Sequence, residues 1–106
     1  MIILFFKLRE YSLAKNIFEK CLKINPKDSL LLYNFGKFLH ERKIFDKAID
    51  LYKKSFDLNS KNDACIYNLG NIYFSLKKFD DAIAYFKKTI EINPSNFLAY
   101  NNIGLS

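Results

Sequence analysis

Glycine occurs three times and proline twice in this chain of 106 residues, while half of the residues are apolar. That balance excludes both a collagen-like and a disordered polypeptide. Histidine occurs once, at His40, with no Cys or Asp partner at a spacing suited to a metal or a catalytic relay. Two cysteines, Cys21 and Cys65, form no Cys-x-x-Cys pair and fall in apolar stretches. Buried, reduced thiols are expected there, and with them a cytoplasmic location. Long apolar runs are lacking. The opening run closes at Lys7, without a basic leader or a small-residue cleavage site, so neither a signal peptide nor a membrane span is expected. Glycine-rich phosphate loops are missing as well.

What the chain does contain is lysine, aromatics and a repeat. Seventeen basic residues stand against eleven acidic ones, a formal net charge of +6, with doublets at Lys53-Lys54, Lys77-Lys78 and Lys87-Lys88. A basic balance can draw nucleic acid, anionic membranes or acidic proteins; the plainer reading is a solvated surface in which lysine is the default polar residue. At an offset of 34 residues, columns coincide throughout: Ala14, Ala48 and Ala82; Phe18, Tyr52 and Phe86; Asn34, Asn68 and Asn102; Gly36, Gly70 and Gly104. A period of this length marks a repeat array in which each unit buries its apolar faces against its neighbours.

Within each unit the apolar spacing is that of two helices. Leu32, Phe35 and Leu39 mark a first helix, as do Ile66, Leu69 and Tyr73; Ile49, Tyr52 and Phe56 mark a second, as do Ile83, Phe86 and Ile90. Asp46, Asp80 and Ser12 stand where N-caps of the second helices are expected. Asn25-Pro26 and Asn93-Pro94 end second helices, because a residue before proline avoids helical geometry. Gly70 and Ala82 are expected where the two helix backbones come closest, with Phe79 and Phe86 wedged between the pair and the next unit. The i,i+4 pairs Glu19–Lys23 and Asp50–Lys54 add modest support.

The run Asn68-Leu69-Gly70-Asn71-Ile72-Tyr73, with Phe79, Ala82, Phe86 and Pro94, resembles the tetratricopeptide repeat family. The resemblance implies an all-α, right-handed superhelical solenoid of antiparallel helix pairs over the whole chain. Residues 1–28 resemble the latter part of a unit, 29–62 and 63–96 two complete units, and 97–106 the opening helix of another. The family usually has glycine in the turn between the paired helices, where this chain has Arg9, Lys43 and Lys77. A side chain in a left-handed turn costs roughly 1–2 kcal/mol, part of which a cation at a helix C-terminus recovers.

In such an array the first helices line the concave groove. The groove-facing positions are then Leu30, Tyr33, Asn34, Lys37 and His40 in one unit, and Ala64, Tyr67, Asn68, Asn71 and Phe74 in the next. Asn101 and Asn102 follow at one end, Phe6 and Lys7 at the other. An amide both donates and accepts, so the column Asn34, Asn68, Asn102 can grip the backbone of an extended peptide without reading its side chains; such asparagines do so in proteins this chain resembles. The bland alternative is an amide that ties neighbouring helices. Tyr33, Tyr67 and Phe74 can supply apolar pockets or simply pack between helices. The family's clamp for chaperone carboxylate tails is not expected, since Leu30, Ala64 and Leu98 occupy its lysine positions and asparagines its arginine positions.

The function expected is therefore a protein-interaction scaffold holding a peptide, with no catalytic residue, no metal and no cofactor. The alternative is the repeat region of a larger enzyme, such as a glycosyltransferase, since the chain begins and ends inside a unit. Membrane association is not expected. Nucleic acid is a weaker possibility, because Lys53-Lys54 and Lys87-Lys88 fall on second helices, away from the groove and without a stacking platform. Uncapped ends also predict self-association.

Overall fold

The computed structural model describes residues 2–95, with side chains from Leu8 onward. Five helices follow one another: α1 (Ile2–Ile24), α2 (Ser29–Glu41), α3 (Phe45–Leu58), α4 (Asp63–Ser75) and α5 (Phe79–Ile92). No strand occurs among the described residues. α2 pairs with α3 and α4 with α5, each through a tight turn, while α3 packs on α4 to join the units and α1 leans more lightly on α2. One core of Leu32, Phe35, Leu39, Ala48, Leu51, Tyr52, Ile66, Leu69 and Ile72 runs across the units.

The turns at 42–44 and 76–78 show how a chain so poor in glycine reverses direction. Lys43 and Lys77 adopt left-handed geometry, with φ of 61° and 62°. Lys43 N–H donates to the His40 carbonyl at 2.9 Å, and Ile44 N–H donates to the Leu39 carbonyl at 3.0 Å. Lys77 and Lys78 repeat the pattern on Phe74 and Tyr73. This doubly bonded helix ending usually takes glycine at its left-handed position; here the hydrogen bonds and the packed pair hold a lysine in it. The expectation for Lys43 and Lys77 is met.

For Arg9 it is not. α1 is one continuous helix through Arg9 and Ser12, so no turn forms at the first and no N-cap at the second. The run Lys7-Leu8-Arg9-Glu10 consists of four good helix formers with no glycine to take up a left-handed turn, so the helix continues through it.

The caps also depart from expectation. The N-caps of α3 and α5 are Ile44 and Lys78, neither making a side-chain cap bond; Asp46 and Asp80 lie inside the first turn, where their charge suits the helix dipole. The capping side chains belong instead to the first helices: Asp28 accepts from Leu31 N–H at 3.1 Å and Asn62 from Ala64 N–H at 3.2 Å. Of the two expected ion pairs, Asp50–Lys54 forms at 3.2 Å, while Glu19 approaches Lys15 at 3.9 Å rather than Lys23.

The two glycines are seats for rings rather than points of backbone contact. A Cβ on Gly36 would lie 3.0 Å from the Tyr52 ring, and one on Gly70 only 2.5 Å from the Phe86 ring. Both rings are fully buried, as are Ala48 and Ala82 beside them. Phe79, expected as a wedge, stays 42% exposed and meets Phe74 edge-on at 5.3 Å within its own unit. Within the α2–α3 pair the Ser29 and Ser55 hydroxyls donate to each other's carbonyls at 3.0 and 2.7 Å, and across to the next unit the Cys65 thiol lies 3.3 Å from Ser55 Oγ. Cys65 is buried and Cys21 only half-buried; both are free thiols.

These seats predict an ordered pair of substitutions. Gly70→Ala lowers stability by about 1–3 kcal/mol through overpacking against Phe86, more than offsetting the roughly 1 kcal/mol gain in helix propensity. Gly36→Ala, with half an ångström more room, costs less. Urea denaturation midpoints of the two variants check the order.

Candidate functional site

Some of the side chains expected in the groove of α2 and α4 are joined into a network. The Tyr33 ring lies 5.8 Å from the Tyr52 ring, and the Asn68 amide donates to the Tyr33 hydroxyl at 3.3 Å, across from α4 to α2. On the other side of Tyr52, its hydroxyl lies 3.1 Å from His40 Nδ1. Thus Asn68, Tyr33, Tyr52 and His40 form a chain of contacts that starts in the groove and passes through a ring seated in the core.

Burial sets the charge state of this network. It pushes the Tyr52 phenol well above its ordinary pKa, aided by the neighbouring Tyr33 and Cys65, so the hydroxyl keeps its proton. Burial lowers the His40 pKa, with only partial opposition from the Glu41 charge. A neutral imidazole beside a protonated phenol lets the Tyr52 O–H donate to His40 Nδ1. His40 is half-buried and bonded to Tyr52.

An open cleft of about 350 Å³ lies beside the network, lined by Lys37, His40, Glu41, Lys43, Phe45, Asn68 and Ser75. Lys37, His40 and Asn68 were expected in the groove. Glu41, Lys43, Phe45 and Ser75 were not, because they come from helix ends and from the turn after α2. The one available signal for them was the lysine in the left-handed turn, which aims the chain back toward the groove edge. A larger hollow of about 630 Å³, lined by Leu8, Glu10, Tyr11, Glu41, Arg42 and Ile44, opens where α1 runs on past that turn. Arg42 covers part of this region, its guanidinium 3.8 Å from the Phe38 ring centre.

The remaining groove positions divide by exposure. Asn34, Lys37 and Leu30 are exposed. Tyr67 and Phe74 are half-buried around the Phe86 ring, Tyr67 at 5.8 Å from it. Ala64 and Asn71 are also half-buried. The asparagine column is therefore unequal, since Asn34 faces solvent while Asn68 is partly engaged with Tyr33. Asn101 and Asn102 lie outside the described residues, and so do the side chains of Phe6 and Lys7. No group of three or more metal-binding side chains gathers among the described residues.

Three family models described as tetratricopeptide repeat match residues 4–28, 17–50 and 64–96. The chain belongs to the tetratricopeptide repeat family. No curated protein matches it. Among solved structures it is similar to the first tetratricopeptide domain of Spaghetti (RPAP3) bound to the HSP90 peptide SRMEEVD, with a TM-score of 0.80 and 24% identity over 93% of this chain and 79% of that one. It is similar also to YrrB, a tetratricopeptide protein with an unusual peptide-binding site, with a TM-score of 0.81 and 23% identity over 92% of this chain and 50% of that one. A third is a double mutant of MamA from RS-1, with a TM-score of 0.81 and 21% identity over 97% and 58% of the two chains. The chain thus spans only part of the length of the latter two. These likenesses establish the helix-pair solenoid.

The network carries a pH dependence. His40 titrates at a lowered pKa in the folded chain and at about its ordinary 6.5 in the unfolded one. Its contribution to stability is therefore complete above that ordinary value and is lost as pH falls through the lower folded value. Urea midpoints measured between about pH 8 and pH 5 should fall on the acid side, and His40→Gln should flatten that fall.

Proposed function

We propose that this tetratricopeptide array is a scaffold that holds an extended peptide segment across the α2–α4 face and performs no catalysis. One observation carries the reading: Tyr33, Asn68 and His40 are joined around an open cleft between two first helices. Groove amides at Asn34 and Asn68 bond a peptide main chain, whose N–H and C=O alternate as an amide's donor and acceptor do. Tyr33, Tyr67 and Phe74 supply apolar area beside them, Lys37, His40 and Asn71 line the same face, and Asn101 and Asn102 extend it. The HSP90 peptide bound to the Spaghetti domain and the peptide-binding site of YrrB support the reading by analogy of fold. The partner is a protein or peptide rather than nucleic acid. A cytoplasmic setting is the one that keeps Cys21 and Cys65 as thiols.

The test is a peptide array probed with the purified chain. Asn34→Ala with Asn68→Ala should weaken capture about tenfold or more, the loss of two hydrogen bonds at roughly 1 kcal/mol each, while far-ultraviolet circular dichroism stays unchanged. Asn34→Ala alone, at an exposed position, should give part of that loss. Unaltered capture by the double variant would remove the groove reading.

A further inference from the structure

Two lysines stand at turn positions that usually take glycine, and their surroundings differ. Lys43 and Lys77 both hold left-handed backbone, with φ of 61° and 62°, a conformation in which a side chain brings strain that glycine avoids. Neither side chain makes a hydrogen bond, ion pair or ring contact among the described residues. Packing explains how the fold tolerates them, not why lysine is there. A residue held against its backbone preference points to a use for its side chain.

Lys77 opens onto a hollow shared with Lys78, Phe79, Asp80 and Asp81, where two carboxylates balance two ammonium groups. Lys43 instead lines the cleft beside the groove network, to which Lys37 adds a second ammonium and Glu41 the single carboxylate. Lys37, Glu41 and Lys43 are all exposed, and none forms an ion pair among the described residues. The cleft therefore has a positive surplus that the other turn lacks. It also offers a donor. His40 Nδ1 lies 3.1 Å from the Tyr52 hydroxyl and accepts its proton bond, which leaves the imidazole N–H on Nε2, without a partner among the described residues. The Phe45 ring meets the His40 ring edge-on at 5.9 Å and gives the cleft an apolar wall.

On the groove reading above, we propose that Lys43 selects peptides carrying an Asp or Glu side chain, whose carboxylate is held in the cleft by the Lys43 and Lys37 ammonium groups and the His40 Nε2–H. Bonds from cations to a carboxylate are shorter and stronger than neutral ones, and the Phe45 ring packs on the methylene that carries it. Neither lysine stands at a position of the chaperone-tail clamp, where Leu30 and Ala64 are found.

A peptide array tests this, with peptides anchored through their C-termini so that only side chains present carboxylates. Each sequence is spotted beside a copy in which Asp becomes Asn and Glu becomes Gln. Sequences captured by the parent chain should bind roughly tenfold more weakly as the amide copy. Lys43→Gly should abolish most of that difference while its urea midpoint holds or rises, since this turn usually takes glycine. Lys37→Gln, at an exposed helical position, should reduce the same difference. Lys77→Gly makes the same change of backbone and charge away from the cleft, and should leave the difference intact. Capture with no acid preference, a preference that survives Lys43→Gly, or an equal loss on Lys77→Gly would each overturn the proposal and leave the grip of Asn34 and Asn68 standing. Absence of any capture would remove the groove reading and this proposal with it.

Discussion

A fully buried ring seated over a glycine is the contact on which each complete unit depends. Tyr52 over Gly36 and Phe86 over Gly70 bring two helices close enough to share a core. That closeness holds a lysine in left-handed geometry at the connecting turn and lets two further carbonyls be satisfied within it. In the opening segment no such turn forms, and α1 continues as one helix through Arg9.

The period and the helix pairs were legible because they repeat, and repetition averages out local ambiguity. The bounds of α2 to α5 follow from apolar columns that recur every 34 residues. The turn expected at Arg9 did not form, because the agreement from Tyr11 onward says nothing of the run Lys7 to Glu10, whose four residues all favour helix. Caps were misplaced because Asp46 and Asp80 look like capping residues, yet the doubly bonded turn ahead of them leaves Ile44 and Lys78 at the helix boundary. Backbone hydrogen bonding prevailed over side-chain preference.

The candidate site was legible in outline only. Spacing identifies which residues share the face of α2 and α4, and Lys37, His40 and Asn68 do meet there. Pairing is another matter. That Asn68 reaches Tyr33 and that His40 reaches Tyr52 depends on how one unit is rotated against the next, which single-helix periodicity does not encode. The cleft's remaining walls come from helix ends, where a one-residue shift changes what is presented.

Tyr52 belongs at once to the interior and to the groove. Its ring fills the seat over Gly36, while its hydroxyl touches His40 beside the open cleft. One period later the equivalent residue is Phe86, which fills its seat but has no hydroxyl to offer. A molecule pressing on His40 therefore acts on the keystone of the α2–α3 pair, whereas one lying over α4 finds no polar handle on the ring beneath. Two units that look interchangeable in their packing thus differ in how the interior is wired to the surface: one has a polar link from its keystone ring to the cleft, and in the other that ring ends in carbon.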